Sequence, residues 1–309
     1  MDIDLSFVVD WLAASVRLST PLILASIGGV YTERTGIFNL GIEGMMLAGA
    51  LASVAGSYFT GSVLCASGWA MVAGGLLALF HAYLTINRRA DQIVSGMVMN
   101  FLALGLTNML FARIFPAERV RVEMYPILSP ESWREIPILG PIILAQPVIV
   151  WISILLAIAA TWILYRTTWG LNIRAVGDHP RAVATAGVSV NGLKFSAVLV
   201  SGAFAGLAGS ALVLSDIGYY SPNMTAGRGF IVLAALVVGK WNPIMAAAAC
   251  LLFGCADALQ LRFQTFGFGI PFQFPTMTPY ILTVLALAGF VGRTAAPKTL
   301  CKPYDPENY

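Results

Sequence analysis

The chain alternates long apolar stretches without charge with short polar breaks. The first stretch, about Phe7–Gly28, is interrupted by Asp10 and Arg17. Gly44 to Asn87 has no acidic residue, lysine or arginine and is long enough for two helices. GSYFTGS (56–62) is the natural turn between them, so helices are predicted near 43–57 and 62–85. Gln92–Ala112 predicts a fourth span. Ile136–Tyr165 is also free of charge and predicts a fifth, starting near Pro141; Phe195–Ser215 predicts a sixth. Gly229–Gly239 is apolar but short and is stopped by Lys240-Trp241-Asn242-Pro243. Ile244 to about Gln260 follows, and Pro275–Gly292 is the last.

A membrane-crossing helix needs about 20 apolar residues. The short 229–239 segment would rise only about 16 Å as a helix, which predicts a half-helix. Such an element is tolerated where its free backbone groups are buried in protein or line a cavity. With it the count is nine. The expected fold is an all-α, polytopic transmembrane helical bundle of about eight to nine spans. It forms one transmembrane unit over 1–309, with a loop at about 114–140, a second at about 166–194 and a tail at about 293–309.

Composition agrees. Of 309 residues, 58% are hydrophobic and 11% charged, with a mean hydropathy of +0.79. A soluble domain carries about 25% charged residues. An ordinary cytosolic enzyme, a disordered chain and a nucleic-acid binder are thereby excluded. Cys65, Cys250, Cys255 and Cys301 show neither metal spacing nor a disulfide framework and read as small apolar fillers. No catalytic or metal-binding set is expected. The start, MDIDLSFVVDWLAASVR, lacks the basic opening and small-residue cleavage site of a signal peptide and reads as the beginning of the first span.

Charge distribution predicts orientation. One set of breaks holds Arg34, Arg88, Arg89, Arg166, Arg174, Arg181, Lys194, Lys240, Arg293, Lys298 and Lys302, eleven in all; the other holds Arg113, Arg119, Arg121, Arg134, Arg228 and Arg262, six. The richer set is expected in the cytoplasm. The N-terminus is then outside and the C-terminus inside, which an odd count requires. Small residues recur every four positions at Gly44, Ala48, Ala52 and Gly56, and at Gly202, Gly206 and Ser210, a spacing that lets helix backbones approach closely in lipid.

Two breaks carry the candidate chemistry. Residues 28–44 hold five glycines with Glu33, Arg34, Asn39 and Glu43, too polar for a lipid-facing helix. Two readings are open: a solvated turn, or an unwound, re-entrant stretch lining a polar pathway with Asn39 and Glu43 inward. In residues 166–194 a helix of seven to eight residues is expected. Asp178 or His179 would cap it, Pro180 would occupy its first turn, and Gly187 would end it in a left-handed conformation. Its small face (Ala182, Ala184, Ala186) lies beside Arg174 and Arg181. That face reads as a knob for a partner or as a plain loop. Asn100 and Asn108 share one face of the fourth span, as pathway lining or helix–helix contacts. Asp10 and Arg17, seven apart, read as a pair or as outward-reaching side chains, and Asp257 with Gln260 as structural.

These residues also carry a resemblance. YTERTGIFNLGIEGMML (31–47) resembles the signature of permease subunits of ATP-binding-cassette importers, in the nucleoside and simple-sugar branch of the ribose and branched-chain amino acid permease superfamily. QIVSGMVMNFLALGLTN (92–108), RAVGDHPRAVATAGVSV (174–190) and GRGFIVLAALVVGKWNPIMAAAACLLFGCADALQ (227–260) resemble it in the same order. The resemblance implies a type II-like permease architecture and a coupling helix within Arg174–Ala186, seated in a groove of a cytoplasmic ATPase. For ATPase contact it points to Arg174, Gly177, Asp178, Pro180, Arg181, Ala182, Ala186 and Gly187. It places 28–44 and 229–239 beside the translocation path, whose candidates are Glu33, Asn39, Glu43, Asn100 and Asn108. His179 stands where many relatives have Asn.

The chain has no phosphate-binding loop of the Gly-x-x-x-x-Gly-Lys-Ser/Thr type, so ATP would be bound by a separate ATPase and no cofactor by this chain. The implied partners are cytoplasmic ATPase subunits, a second permease (a copy or a related chain), an extracytoplasmic solute-binding protein and membrane lipid, with no nucleic acid. The implied location is a bacterial cytoplasmic (inner) membrane. The expected cargo is a neutral polar solute, a nucleoside or simple sugar, with a branched-chain amino acid or riboflavin as alternatives. A competing reading is an ion-coupled secondary transporter using Glu33 and Glu43. A membrane-embedded enzyme would need more than His81 and His179.

Overall fold

The computed structural model describes residues 5–115, 122–134, 136–265 and 296–304, with isolated positions between 277 and 288. The described residues form helices and connections. α1 is Leu5–Arg34, α2 Ile42–Thr60 and α3 Val63–Ala82, which runs on into a π-helical turn at Tyr83–Asn87. α4 is Gln92–Ile114, α5 the single turn Glu131–Arg134 and α6 Val148–Arg166. α7 is Thr168–Asp178, α8 Pro180–Thr185 and α9 Val190–Ala211, continued by a π-helical turn at Leu212–Ile217. α10 is Arg228–Val238 and α11 Pro243–Thr265.

Among the described residues seven helices, namely α1, α2, α3, α4, α6, α9 and α11, are long and apolar enough to cross a membrane; α10 is apolar but short, with 11 residues. The short apolar segment is therefore a half-helix, as its length required. The span expected at Pro275–Gly292 lies largely outside the described residues.

Several boundaries differ from expectation. α1 continues past Gly28 to Arg34, because residues 28–33 face protein on every side: Gly28 abuts the Ser201 backbone so closely that a Cβ would sit 2.7 Å from its Cα. The break in 28–44 is thus confined to 35–41. α2 runs to Thr60, so the turn before α3 is shorter than GSYFTGS; left-handed Gly61 closes it with an N–H to the Ser57 carbonyl at 2.8 Å. α6 starts after Pro147 instead of near Pro141, since Gly140–Leu144 forms a separate π-helical turn. α7 is a helix of its own, capped by Thr167, whose hydroxyl accepts the Gly170 N–H at 3.1 Å. It occupies what read as loop.

α1, α2 and α9 form the centre, and α3, α4 and α6 turn most of their surface outward. Close backbone approach through small residues joins these layers. Gly74 and Gly202 face each other across α3 and α9, and Gly206 lies against the Ala70 carbonyl. Between helices in lipid such packing supplies association that hydrophobicity cannot. His81 ties α3 to α4 through Ser95, 3.0 Å away.

Call the two ends of the bundle the Asp10 end and the Arg34 end. Asp10 and Arg17 do not pair with each other. Asp10 meets Arg262 of α11 at 3.2 Å, Arg17 meets Asp216 at 3.7 Å, and Arg228 meets Asp257 at 3.8 Å. Seven helical residues separate Asp10 and Arg17 by about 10 Å of rise, whereas neighbouring helices end beside each of them.

Candidate functional site

The break at 35–41 begins at Gly36, whose left-handed φ of +85° reverses the chain. Beyond it the backbone lies along α4, which supplies the partners a broken helix lacks. Phe38 N–H donates to Gln92 Oε1 at 2.7 Å. Asn100 holds both sides of the helix start: Nδ2 donates to the Leu40 carbonyl at 3.0 Å, and Oδ1 accepts the Gly44 N–H at 2.8 Å. Gln92 and Asn100 are eight residues apart, about 12 Å along α4. The chain therefore climbs that far from the Arg34 end before α2 begins. Asn39 is fully buried and used inside the protein; Nδ2 donates to Ser201 Oγ at 3.1 Å and Oδ1 accepts the Gly41 N–H at 3.2 Å.

The second break precedes α10. Asn223, Ala226 and Gly227 all have positive φ, and α10 has no side-chain cap from its own segment. Glu43 of α2 supplies one. Gly227 N–H donates to Oε1 at 2.8 Å and Gly229 N–H to Oε2 at 2.6 Å. Gly229 must lack a side chain, because a Cβ would stand 2.6 Å from Glu43 Cα. α10 then descends its 11 residues, about 16 Å, to the Arg34 end. Glu43 therefore lies about halfway through a hydrocarbon layer of about 30 Å. α2 leaves it towards one end and α10 towards the other, so two positive helix N-termini converge on one carboxylate. A cavity of about 260 Å³ opens beside it, between α2, α4 and α10. Glu43, Asn100 and Asn223 are its polar lining; Met97, Phe101 and Phe230 are among its apolar walls. Asn108 lies two turns further along α4, with its Oδ1 buried and unpartnered.

At the Arg34 end Glu33 is 1% exposed, and its Oε2 accepts Trp241 Nε1–H at 2.5 Å. Arg34 Nε donates to the Trp241 carbonyl at 2.9 Å, and Nη2 to the Lys240 carbonyl at 3.2 Å and the Tyr165 hydroxyl at 3.4 Å. Lys240 and Trp241 are consecutive left-handed residues, with φ of 53° and 52°. The α10–α11 turn is thus held by the end of α1. Arg174 of α7 lies over the Tyr165 ring, 5.0 Å from its centroid.

Gly177 sits against the Arg34 carbonyl, and its own carbonyl accepts the Thr299 N–H at 3.0 Å and Oγ1–H at 2.7 Å. Asp178 does not cap α8. It ends α7 and accepts the Lys298 N–H at 3.4 Å, leaving His179 in the cap position without a capping bond from its side chain, whose Nε2 lies 3.3 Å from Lys298 Nζ. α8 has six residues, fewer than expected, starting at Pro180, and Gly187 follows it with φ +78°. Pro180 and Val183 are buried beneath it, while Arg181, Ala182, Ala184, Ala186 and Gly187 face outward. In the tail beside this joint lies Cys301, exposed at its surface; partial burial pushes its thiol up, and the Glu33 and Asp91 carboxylates push it the same way.

The structure thus joins Glu43 and Asn100 at one cavity and sets Glu33 and Asn39 into internal contacts. It also splits the 174–187 set. Arg174 and Gly177 pack inward; Arg181, Ala182, Ala186 and Gly187 lie on the surface. Sequence reasoning missed Trp241, Tyr165, Ser201 and Gln92. The Gly227-Arg228-Gly229 spacing was the available signal for close backbone approach at the half-helix.

Residues 11–290 match the family model described as branched-chain amino acid transport system / permease component. A guanosine ABC transporter permease protein of Bacillus subtilis (strain 168) is 40% identical over 305 residues, covering 94% of this chain and 95% of its own. A nucleoside ABC transporter permease protein of Lactococcus lactis subsp. cremoris (strain MG1363) is 39% identical, covering 91% and 92%. Another guanosine ABC transporter permease protein of Bacillus subtilis is 29% identical, covering 92% and 82%.

Proposed function

This chain belongs to the family of permease components of branched-chain amino acid transport systems and is a membrane permease subunit of an ATP-binding-cassette transporter, and on that premise we propose that its cargo is a nucleoside, carried inward. It is a transport subunit, not an enzyme. The observation that carries the cargo reading is the 40% identity to a guanosine permease protein along nearly the whole of both chains. Bacillus subtilis has two guanosine permease proteins related to this chain, at 40% and 29% identity. That pairing favours a related second permease over a copy.

In this reading α8 docks on the ATPase through Arg181, Ala182, Ala186 and Gly187, while Pro180 and Val183 seat it on the bundle. Gly177 joins it to the end of α1, Arg174 to Tyr165 of α6 and Asp178 to Lys298 of the tail. The Arg34 end, with the richer set of basic residues, faces the cytoplasm, and the N-terminus lies outside. ATP is bound by the partner ATPase, and an external solute-binding protein delivers the nucleoside. The path passes Glu43 and Asn100, with Asn108 on the same helix face; Glu33 and Asn39 support its walls. The membrane is a bacterial cytoplasmic membrane.

The test is reconstitution of this chain with its second permease, ATPases and solute-binding protein in vesicles. ATP-dependent accumulation of labelled guanosine, in preference to ribose, leucine and riboflavin, is expected. Uptake by this chain alone under an ion gradient would overturn the reading.

A further inference from the structure

We propose that the cavity between α2, α4 and α10 is a mid-membrane station that holds the nucleoside by stacking on Phe101 and Phe230 and by hydrogen bonds to Asn100 and Asn223; the cargo class rests on the reading above, the place does not.

The first observation is depth. Glu43 and Asn100 stand about halfway between the bundle's ends, yet their cavity opens to the outside of the chain. Polar groups facing lipid tails at that depth are costly, and broken backbone is tolerated there only when protein covers it or water fills the space beside it. The lining is mostly apolar with a few polar groups from Glu43, Asn100 and Asn223, the composition of a small-molecule site, and an amphipathic cargo matches it better than lipid tails alone.

The second observation is the lining. Phe101 is 68% exposed and Phe230 48%, and they come from different helices on the two sides of the cavity. Aromatic faces accept any nucleobase, since every base presents a π-face. Asn100 spends one amide hydrogen and one lone pair on the backbone and keeps the others for sugar hydroxyls or base edges. Asn223 sits opposite on the left-handed turn before α10. A cavity of about 260 Å³ lies just below the usual range of small-molecule sites.

The third observation is that one wall of the station is the half-helix α10, 11 residues long, whose start is fixed by the Glu43 carboxylate at the edge of the cavity.

The test uses the assembled complex. Wild-type complex in vesicles is irradiated with 8-azidoguanosine, and adducts are mapped by peptide mass. Labelling is expected within 97–104 and 223–230, with guanosine competing and ribose not. Phe101→Ala with Phe230→Ala is expected to cut both labelling and ATP-driven guanosine uptake at least about tenfold, the scale of lost base stacking, while the complex still co-elutes with its ATPases. Adducts elsewhere overturn the station, and so does full uptake by the double variant; in either case wild-type guanosine uptake keeps the cargo reading intact. A wild-type complex that moves ribose but not guanosine overturns the cargo reading and the stacking role together.

Discussion

Gly229 donates its backbone N–H to the Glu43 carboxylate at 2.6 Å, across 186 residues of sequence, so the half-helix α10 takes its cap from the first turn of α2. A charge-assisted bond of this kind contributes about 1.5–3 kcal/mol. Glu43→Gln keeps the shape but sets an amide NH₂ against one of the two backbone N–H groups. A loss of about 2 kcal/mol or more is expected, read as a lower thermal midpoint of the purified complex. An unchanged midpoint would remove the capping role.

Gly206 and Gly105 provide a matched comparison. A Cβ at Gly206 runs into the Ala70 carbonyl, whereas nothing lies within 4 Å of one at Gly105. Overpacking of a tight contact costs about 1–3 kcal/mol. Gly206→Ala is expected to lower the melting temperature and membrane yield, and Gly105→Ala to leave both near wild type or slightly raised. Equal behaviour of the two would contradict the α3–α9 packing.

Legibility divides along physical lines. Helix α10 was readable because length against bilayer thickness is arithmetic, and Pro180 and Gly187 were readable because they punctuate the backbone. α7 was not, since RTTWGLNIRAVGD is polar enough for a loop, and what makes it helical is Thr167 capping and burial of Ile173 and Val176 against the bundle. Residues 28–34 misled for a related reason. Charge in an apolar chain signals a departure from lipid, but both an unwound loop and a helix wrapped in protein satisfy that signal. Trp241 had no local signature at all; its role depends on a turn meeting the end of α1 from 208 residues away.

That Trp241–Glu33 contact invites a double-mutant cycle. Trp241→Phe removes the N–H and leaves the carboxylate of a buried residue without that donor, which is expensive. Glu33→Gln keeps the shape and an acceptor for the indole N–H. The double variant is expected to be more stable than the sum of the single losses implies, with a coupling of about 0.5–3 kcal/mol, measured by thermal unfolding. Additive losses would mean that the two side chains merely lie close.

Cys301 reports on the tail. Because burial and nearby carboxylates push its thiol up, its thiolate fraction at a given pH is smaller than that of an ordinary cysteine. With Cys65, Cys250 and Cys255 replaced, alkylation of Cys301 by iodoacetamide is expected to rise with pH later than alkylation of a free thiol. Thr299→Val deletes the hydroxyl bond to the Gly177 carbonyl, 2.7 Å long, and should loosen the tail and shift the curve back towards the ordinary range. A wild-type curve that already matches a free thiol would show that neither burial nor the Glu33 and Asp91 carboxylates act on it.

α8 offers the sharpest separation between folding and coupling. Ala182 and Val183 are neighbours with opposite surroundings: Val183 is 6% exposed and packs with Val176 and Val190, while Ala182 faces outward. Ala182→Glu adds bulk and charge on the surface, where the cost to stability is expected to stay within about 0.5 kcal/mol. Val183→Ala opens space under the helix and should cost about 1 kcal/mol or more. If α8 is the contact for the ATPase, Ala182→Glu abolishes co-purification of the ATPase and ATP-driven uptake, with membrane insertion and melting temperature preserved. Val183→Ala lowers the melting temperature but retains the partner. Retained ATPase binding and uptake in Ala182→Glu would place the docking surface elsewhere on the Arg34 end.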